Sequence, residues 1–353
     1  MNSKNEYTGY IGTYTKGDSK GIYTFKLDTE NEKITDIKTV AELDNPTYLN
    51  ISQDNRYLYA VIKKGEEGGV ASFSLDSESG ELTPMNTQLA PSSSPCHVSM
   101  DSKNQYLFTA NYHKGTVESY LLENETGLIQ PPVSVIQHEG SGPDPRQEKA
   151  HTHFAGVTPD EKYIVVVELG TDILLTYEVN IDGKLTEVSR LSTPAGSGPR
   201  HITFHPNGKF AYVMTEFSSE VIFLTYHAED GHFTANQFIS TLPEDFTENN
   251  QGSAIHISAD GRFVYAGNRG HNSIAVFSVN ETTGELSFVD RVSSEGDWPR
   301  DFSIDPSGQY LVGSNQESSN LVLYRRDVET GKLTLIEKNN EVPYPVCVKF
   351  LHY

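Results

Sequence analysis

Short runs in which apolar and polar residues alternate recur along the whole chain, and each is cut off by a polar, turn-forming cluster before a helical period can develop. The aromatic-led runs YLYAVI, YLFTAN, YIVVVE, FAYVMT, FVYAGN and YLVGSN predict buried strands. Each follows a tight turn, at residues 53–57, 102–106, 159–163, 206–210, 259–263 and 306–310. A second kind of turn falls between these, at residues 76–82, 180–185, 227–233, 280–286 and 327–333. It has looser copies at 28–34, which lacks the glycine, and at 123–128, which is one residue shorter. Acidic or Asn residues followed by Gly suit a hairpin whose glycine takes positive φ.

One turn thus occurs seven times and the other six. The unit reads strand, turn, strand, loop, strand, turn, strand, a four-stranded antiparallel meander recurring about every fifty residues. The missing copy has its two halves at the chain ends: residues 345–351 (PVCVKFL) look like the strand before that turn and residues 7–14 (YTGYIGTY) like the strand after it. The pattern predicts an all-β, seven-bladed β-propeller spanning residues 1–353 as a single domain. A C-terminal innermost strand would join three N-terminal strands and leave no free sheet edge.

In a propeller the first strand of each unit lines the central channel, and its start lies beside the end of its antiparallel neighbour. Aligning the copies puts Thr47, Cys96, His153, Arg200, Ser253, Arg300 and Val346 at the first position. Tyr14, Lys63, Tyr112, Leu169, Glu216, Arg269 and Gln316 fall at the second. His151, His201, Glu168, Asn111, Asn268 and Asn315 lie one or two residues away. A purely structural position favours similar residues in every copy, so this variety at fixed geometry points to a binding site at one channel mouth. Two insertions, residues 131–150 and 240–252, each precede an innermost strand and are expected to overhang that mouth as walls or a lid.

Charge sharpens this picture. With 27 Lys and Arg against 48 Asp and Glu, the net charge is −21, which disfavours nucleic acid or an anionic membrane surface as partner. A knot of Arg and His set against that field suits a small anionic ligand. The first twenty residues hold no signal-like apolar core and no apolar run reaches eighteen residues, so a cytoplasmic protein is expected. The only cysteines, Cys96 and Cys347, have no metal or redox spacing and read as two reduced structural thiols.

The segments SVIQHEGSGPDPRQEKAHTH (134–153), GPRHITFHPNG (198–208), NRGHNSIAVF (268–277) and WPRDFSIDPSGQYLVGSNQ (298–316) resemble the lactonase family of seven-bladed propellers. That family includes bacterial cycloisomerase-type 6-phosphogluconolactonases and fungal carboxymuconate lactonizing enzymes. The resemblance implies functional roles for His151 and His153 of the H-x-H, Arg200 and His201 of the P-R-H, Glu216, Asn268 and Arg269 of the N-R-G, and Arg300 of the W-P-R. This chain departs from the family pattern at Ile173, where relatives often carry a basic residue, and at Ala150, where they often carry Pro.

Lactone hydrolysis needs a base for water, donors for the oxyanion and an acid for the departing alkoxide. His153 or Glu216 is the expected base, with His151 or His201 orienting or donating. Arg200 and Arg269 are expected to hold a phosphate or carboxylate, or to stabilise the oxyanion. His151, His201, Asn268, Arg300, Gln316 and Glu168 are expected around the substrate. The expected reaction is cofactor-free hydrolysis of a small anionic sugar lactone, 6-phosphoglucono-1,5-lactone, with a carboxymuconate-type lactonizing activity as the alternative. A divalent cation on Glu168, Glu216 and the three Asn is a competing arrangement that the neighbouring Arg residues oppose. A non-catalytic ligand sensor or a protein-binding platform would use the same ring without turnover.

Overall fold

The chain reverses wherever a residue can adopt left-handed backbone. In the computed structural model, which describes residues 5–353, Gly80, Gly284 and Gly331 close outer hairpins at φ 78°, 81° and 73°. The copy that lacks a glycine puts Glu32 at that point, at φ 53°, a conformation most side chains avoid. Its carboxylate is gripped by Tyr310 (3.0 Å) and Arg325 (2.7 Å), which tie the turn to the neighbouring blade.

Between these turns the described residues form twenty-eight strands and no helix. They form seven four-stranded antiparallel sheets. The first blade comprises Glu6–Thr13, Gly21–Asp28 and Lys33–Glu42, with Pro345–Phe350 added as its innermost strand. Tyr10 pairs with Lys349 and Ile11 with Val348, so the ring closes as the split repeat predicts. The six later blades start at Leu49–Ile51, His97–Met100, Thr152–Val157, Pro199–Phe204, Gln251–Ile257 and Pro299–Ile304. Each innermost strand packs against those of the blades before and after it, and Pro345–Phe350 touches both its neighbours.

The core lies between blades rather than within one. Tyr212, Val221 and Phe223 of the fifth blade interlock with Val264, Ala266 and Phe277 of the sixth. A polar stitch recurs with this packing: Tyr10, Tyr59, Tyr212 and Tyr265 each donate a buried hydroxyl to the turn-glycine carbonyl of the next blade, at 2.8–3.0 Å. One residue type therefore fills the core and satisfies a carbonyl at once.

Five innermost strands break register near their start. The shifts fall between Thr152 and Phe154, Pro199 and His201, Gly252 and Ile255, and Pro299 and Asp301, and opposite Gly12 and Thr13 in the first blade. Each is a β-bulge, an extra residue unmatched by the partner strand that re-aims a side chain. The unmatched residues include His153, Arg200, Arg300 and Val346.

Candidate active site

The bulges and the ends of the second strands meet at one mouth of the channel, around a cavity of about 540 Å³. Thr47, Cys96, His153 and Arg300 enter it from the innermost strands, and Tyr14, Lys63, Tyr112, Glu216 and Arg269 from the second strands. A narrow extension of about 40 Å³ continues down the channel past Arg200, His201, Tyr48, Asp301 and Val346. The aligned ring therefore does converge, with three exceptions: Ser253 is turned to the Pro299 carbonyl, Leu169 is buried, and Gln316 stands behind Arg300.

At its centre one carboxylate is clamped by two cations. Glu216 Oε2 accepts from Arg200 Nε at 3.1 Å and from Arg269 Nη2 at 2.8 Å. The three side chains are only 10%, 3% and 4% exposed, respectively. Arg200 also donates to the Ser253 carbonyl and Arg269 to the Gly252 carbonyl, both at 2.8 Å. Burial pushes the Glu216 carboxyl up, but Arg269 and Arg200 outweigh it and hold it below the usual carboxylate range. Burial, and then the like charge of Arg269, lower the Arg200 guanidinium to about 9. Arg200 is thus committed to Glu216 and to backbone, and it reaches the narrow extension rather than the wide cavity.

Three histidines meet edge to face beside this clamp. The His153 and His201 rings are 5.1 Å apart, and His97 lies 5.6 Å from His201 and 4.4 Å from Tyr48. Burial, followed in each case by nearby cations, holds all three well below the ordinary histidine value, so they are neutral at pH 7. His153 Nδ1 and His201 Nε2 are buried without a hydrogen-bond partner. His153 lines the cavity, and an imidazole nitrogen there that no protein group occupies is free to take a proton. Arg300 spends one donor on Gln316 Oε1 (3.2 Å) and lies over the Tyr14 ring, while Arg269 lies over Trp298.

Some expected site residues do other work. Glu168 accepts from the His151 amide, the Gly170 amide and the Thr171 hydroxyl, which fixes the turn after its own strand. Asn268 exchanges hydrogen bonds with Thr241 and Ser273, and Asn111 and Asn315 hold the Ser93 and Ser294 carbonyls in the same manner. These are spacers that set where the neighbouring Arg269 or Tyr112 points. Of the groups considered for a cation, Glu168 and the three Asn are thus each bound to a turn and Glu216 is held by Arg200 and Arg269, and no group of three or more His, Cys, Asp or Glu able to hold a metal occurs among the described residues. His151 stacks on Tyr112 at 4.1 Å and bonds its carbonyl, so it supports the wall behind His153. Cys96 is free, as is Cys347, but it lines the cavity rather than only filling core.

The two insertions lie beside the mouth without lining the cavity, and residues 131–137 of the first belong to the outermost strand Ile129–Gln137 of their blade. In the first, Lys149 reaches the His113 carbonyl, Gln147 the Leu169 carbonyl, and Arg146 covers the Phe217 ring at 3.9 Å. In the second, Asn250 bridges Ser219 and Asn268, and Phe246 packs on His271. Sequence reasoning missed His97, Tyr48 and Asp301 below the clamp, and Lys16 at the rim. The first and last of these lie one and two residues beyond the aligned positions Cys96 and Tyr14.

Residues 8–350 match the family described as lactonase, seven-bladed β-propeller. The chain is 56% identical to the 6-phosphogluconolactonase of Bacillus subtilis over 98% of this chain and 99% of that protein. A solved structure from Lactobacillus plantarum superposes with a TM-score of 0.94 at 40% identity, covering 98% of this chain and 99% of the other. The periplasmic gluconolactonase of Pseudomonas aeruginosa gives 0.93 at 31% identity over 98% and 99%. With its blades, its closure and nearly its full length matched in this way, the chain belongs to the lactonase family of seven-bladed β-propellers.

Proposed function

We propose that this protein hydrolyses 6-phosphoglucono-1,5-lactone to 6-phosphogluconate at the channel mouth without a cofactor. The observation that carries the reading is the Arg200–Glu216–Arg269 clamp beside the unpartnered His153 nitrogen, in a chain 56% identical to a 6-phosphogluconolactonase. His153, kept neutral, takes a proton from water as the water attacks C1 of the lactone. Glu216, whose Oε1 accepts no hydrogen bond from the described residues, orients that water without itself titrating. The negative charge that develops on the carbonyl oxygen faces Arg300 and Arg269, fixed donors in a partly enclosed site. Collapse of the tetrahedral intermediate breaks the ring C–O bond, and the alkoxide takes the proton back from the His153 imidazolium. Arg200 positions Glu216 and does not touch substrate. A cytosolic setting suits both the phosphorylated sugar and the two free thiols.

The test is pH-stat hydrolysis of the lactone, corrected for spontaneous ring opening, with wild-type protein and with His153→Ala and Glu216→Gln. Catalysis by the wild type and a loss of about a hundredfold or more in each variant are expected. If both variants match the wild type, the reading is wrong.

A further inference from the structure

The clamp raises a question of charge. If Arg200 and Arg269 are occupied by Glu216 and by backbone, the phosphate of a phosphorylated lactone needs other cations. Two stand on the facing wall of the same cavity, Lys16 and Lys63. Glu216 belongs to the fifth blade, and in a closed ring of seven the first and second blades, which carry Lys16 and Lys63, lie farthest across the channel from it.

The two lysines are held side by side through consecutive residues of one segment. The Lys63 amide donates to the Asp44 carbonyl at 2.9 Å. The Thr15 amide donates to Asn45 Oδ1 at 3.0 Å, while the Asn45 amide donates back to Thr15 Oγ1 at 3.1 Å. Lys16 Nζ sits 5.2 Å from the centre of the Tyr14 ring, and Arg300 sits 5.4 Å from the same ring. One aromatic ring is therefore shared by a lysine and an arginine of the cavity.

Neither lysine has a carboxylate partner among the described residues. Lys63 spends one of its three donors on the Ser92 carbonyl (2.9 Å), and Lys16 makes only cation–π contacts with Tyr14 and Tyr344. Of the charged residues around the cavity, Lys16, Lys63, Arg269 and Arg300 are cations and Glu216 alone is an anion. That excess of positive charge is held by a chain whose net charge is −21.

We propose that Lys16 and Lys63 form a phosphate subsite, so that the substrate lies across the channel with its lactone over His153 and Glu216 and its phosphate on the first two blades. This rests on the lactonase reading above and adds to it the residues that distinguish a phosphorylated lactone from a plain one. A substrate held this way presents its phosphate to mobile ammonium groups at the wet rim and its carbonyl to fixed guanidiniums deeper in.

The experiment compares kcat/KM for 6-phosphoglucono-1,5-lactone and for glucono-1,5-lactone in wild-type protein, in Lys16→Met/Lys63→Met, and in Lys64→Met/Lys103→Met, exposed lysines outside the cavity, as a charge-matched control. The double variant is expected to lower the phosphorylated-to-plain ratio at least about tenfold, mainly through KM, because charge-assisted contacts are lost. Lys16→Arg/Lys63→Arg should keep most of the ratio. An unchanged ratio in the double variant, including an equal loss on both substrates, overturns the subsite. Calorimetric binding of 6-phosphogluconate against gluconate separates the two readings. Lysine-dependent preference for 6-phosphogluconate without turnover would sink the activity and keep the subsite, whereas turnover without lysine dependence would sink the subsite alone.

Discussion

Replacing Glu216 with Gln changes almost no volume and removes one charge. In the native site Oε2 stands 3.1 Å from Arg200 Nε and 2.8 Å from Arg269 Nη2, all but sealed from solvent. Removing one partner of a buried ion pair costs about 3–5 kcal/mol, because the remaining charge stays desolvated. The Gln oxygen still accepts from one guanidinium, so a loss of about 3 kcal/mol is expected, read as a lower urea midpoint with an unchanged slope. The pH dependence has a defined sign. The folded Glu216 carboxyl titrates below its ordinary 4.5, so its contribution is complete above pH 4.5 and fades as the pH falls through the lower folded value. The gap between wild type and variant should therefore be full at pH 7 and shrink in acid. Two guanidiniums left without a counter-charge should also recruit an anion, so sulfate should raise the variant's melting temperature more than the wild type's. A Glu216→Gln protein as stable as wild type at pH 7, with no added response to sulfate, would refute the clamp as described.

Three further outcomes follow from other parts of the molecule. His97, His153 and His201 are buried neutral, so the unfolded chain binds more protons below pH 6.5. Stability should fall on acidification by up to about 1.4 kcal/mol per pH unit for each. Urea unfolding between pH 5 and 7.5 reads this slope, and His201→Leu should reduce it by one proton. Tyr265→Phe leaves the Gly331 carbonyl and Arg326 Nε without their buried partner, and should cost about 1–3 kcal/mol of unfolding free energy. At Gly331, φ is 73° and an added Cβ would meet the Phe263 ring at 2.3 Å, so Gly331→Ala should lower the melting temperature while kcat/KM of the surviving folded protein stays within about twofold.

The blades were legible because their punctuation is chemical: a glycine or Asn takes left-handed backbone in eleven of the thirteen repeated turns, Glu32 and Glu161 stand at that point in the other two, and the one at Glu32 was visible as a missing glycine. The two half-copies at the chain ends gave the closure for the same reason. The site was legible only as a list of equivalent positions. Nothing local announces that Glu216 will grip Arg269, 53 residues away, and a strand pattern does not show which side chain a bulge will re-aim. Glu168 and Asn268, expected around the substrate, sit one residue before the channel position and outside the lining of the cavity. There the side chain meets the turn of its own blade, and a carboxylate or amide is used to tie that turn down. Lys16, His97 and Asp301 lay just off the aligned positions, where depth in the channel decides and sequence spacing does not.

A residue inserted at a bulge belongs to no cross-strand pair, so its identity is nearly free of the inside-outside alternation that the rest of the strand must obey. For a lineage searching sequence space, each such position is a separate variable. A histidine can become an arginine or a valine there by point substitution, with the hydrogen-bond register left where it was. His153, Arg200, Arg300 and Val346 already show that range within one molecule. A library randomised at His153 and Arg300, which line the wide cavity, with Arg200 kept as the partner of buried Glu216 and Val346 kept as core, should leave most members folded, and new selectivity could then be sought without first repairing the scaffold.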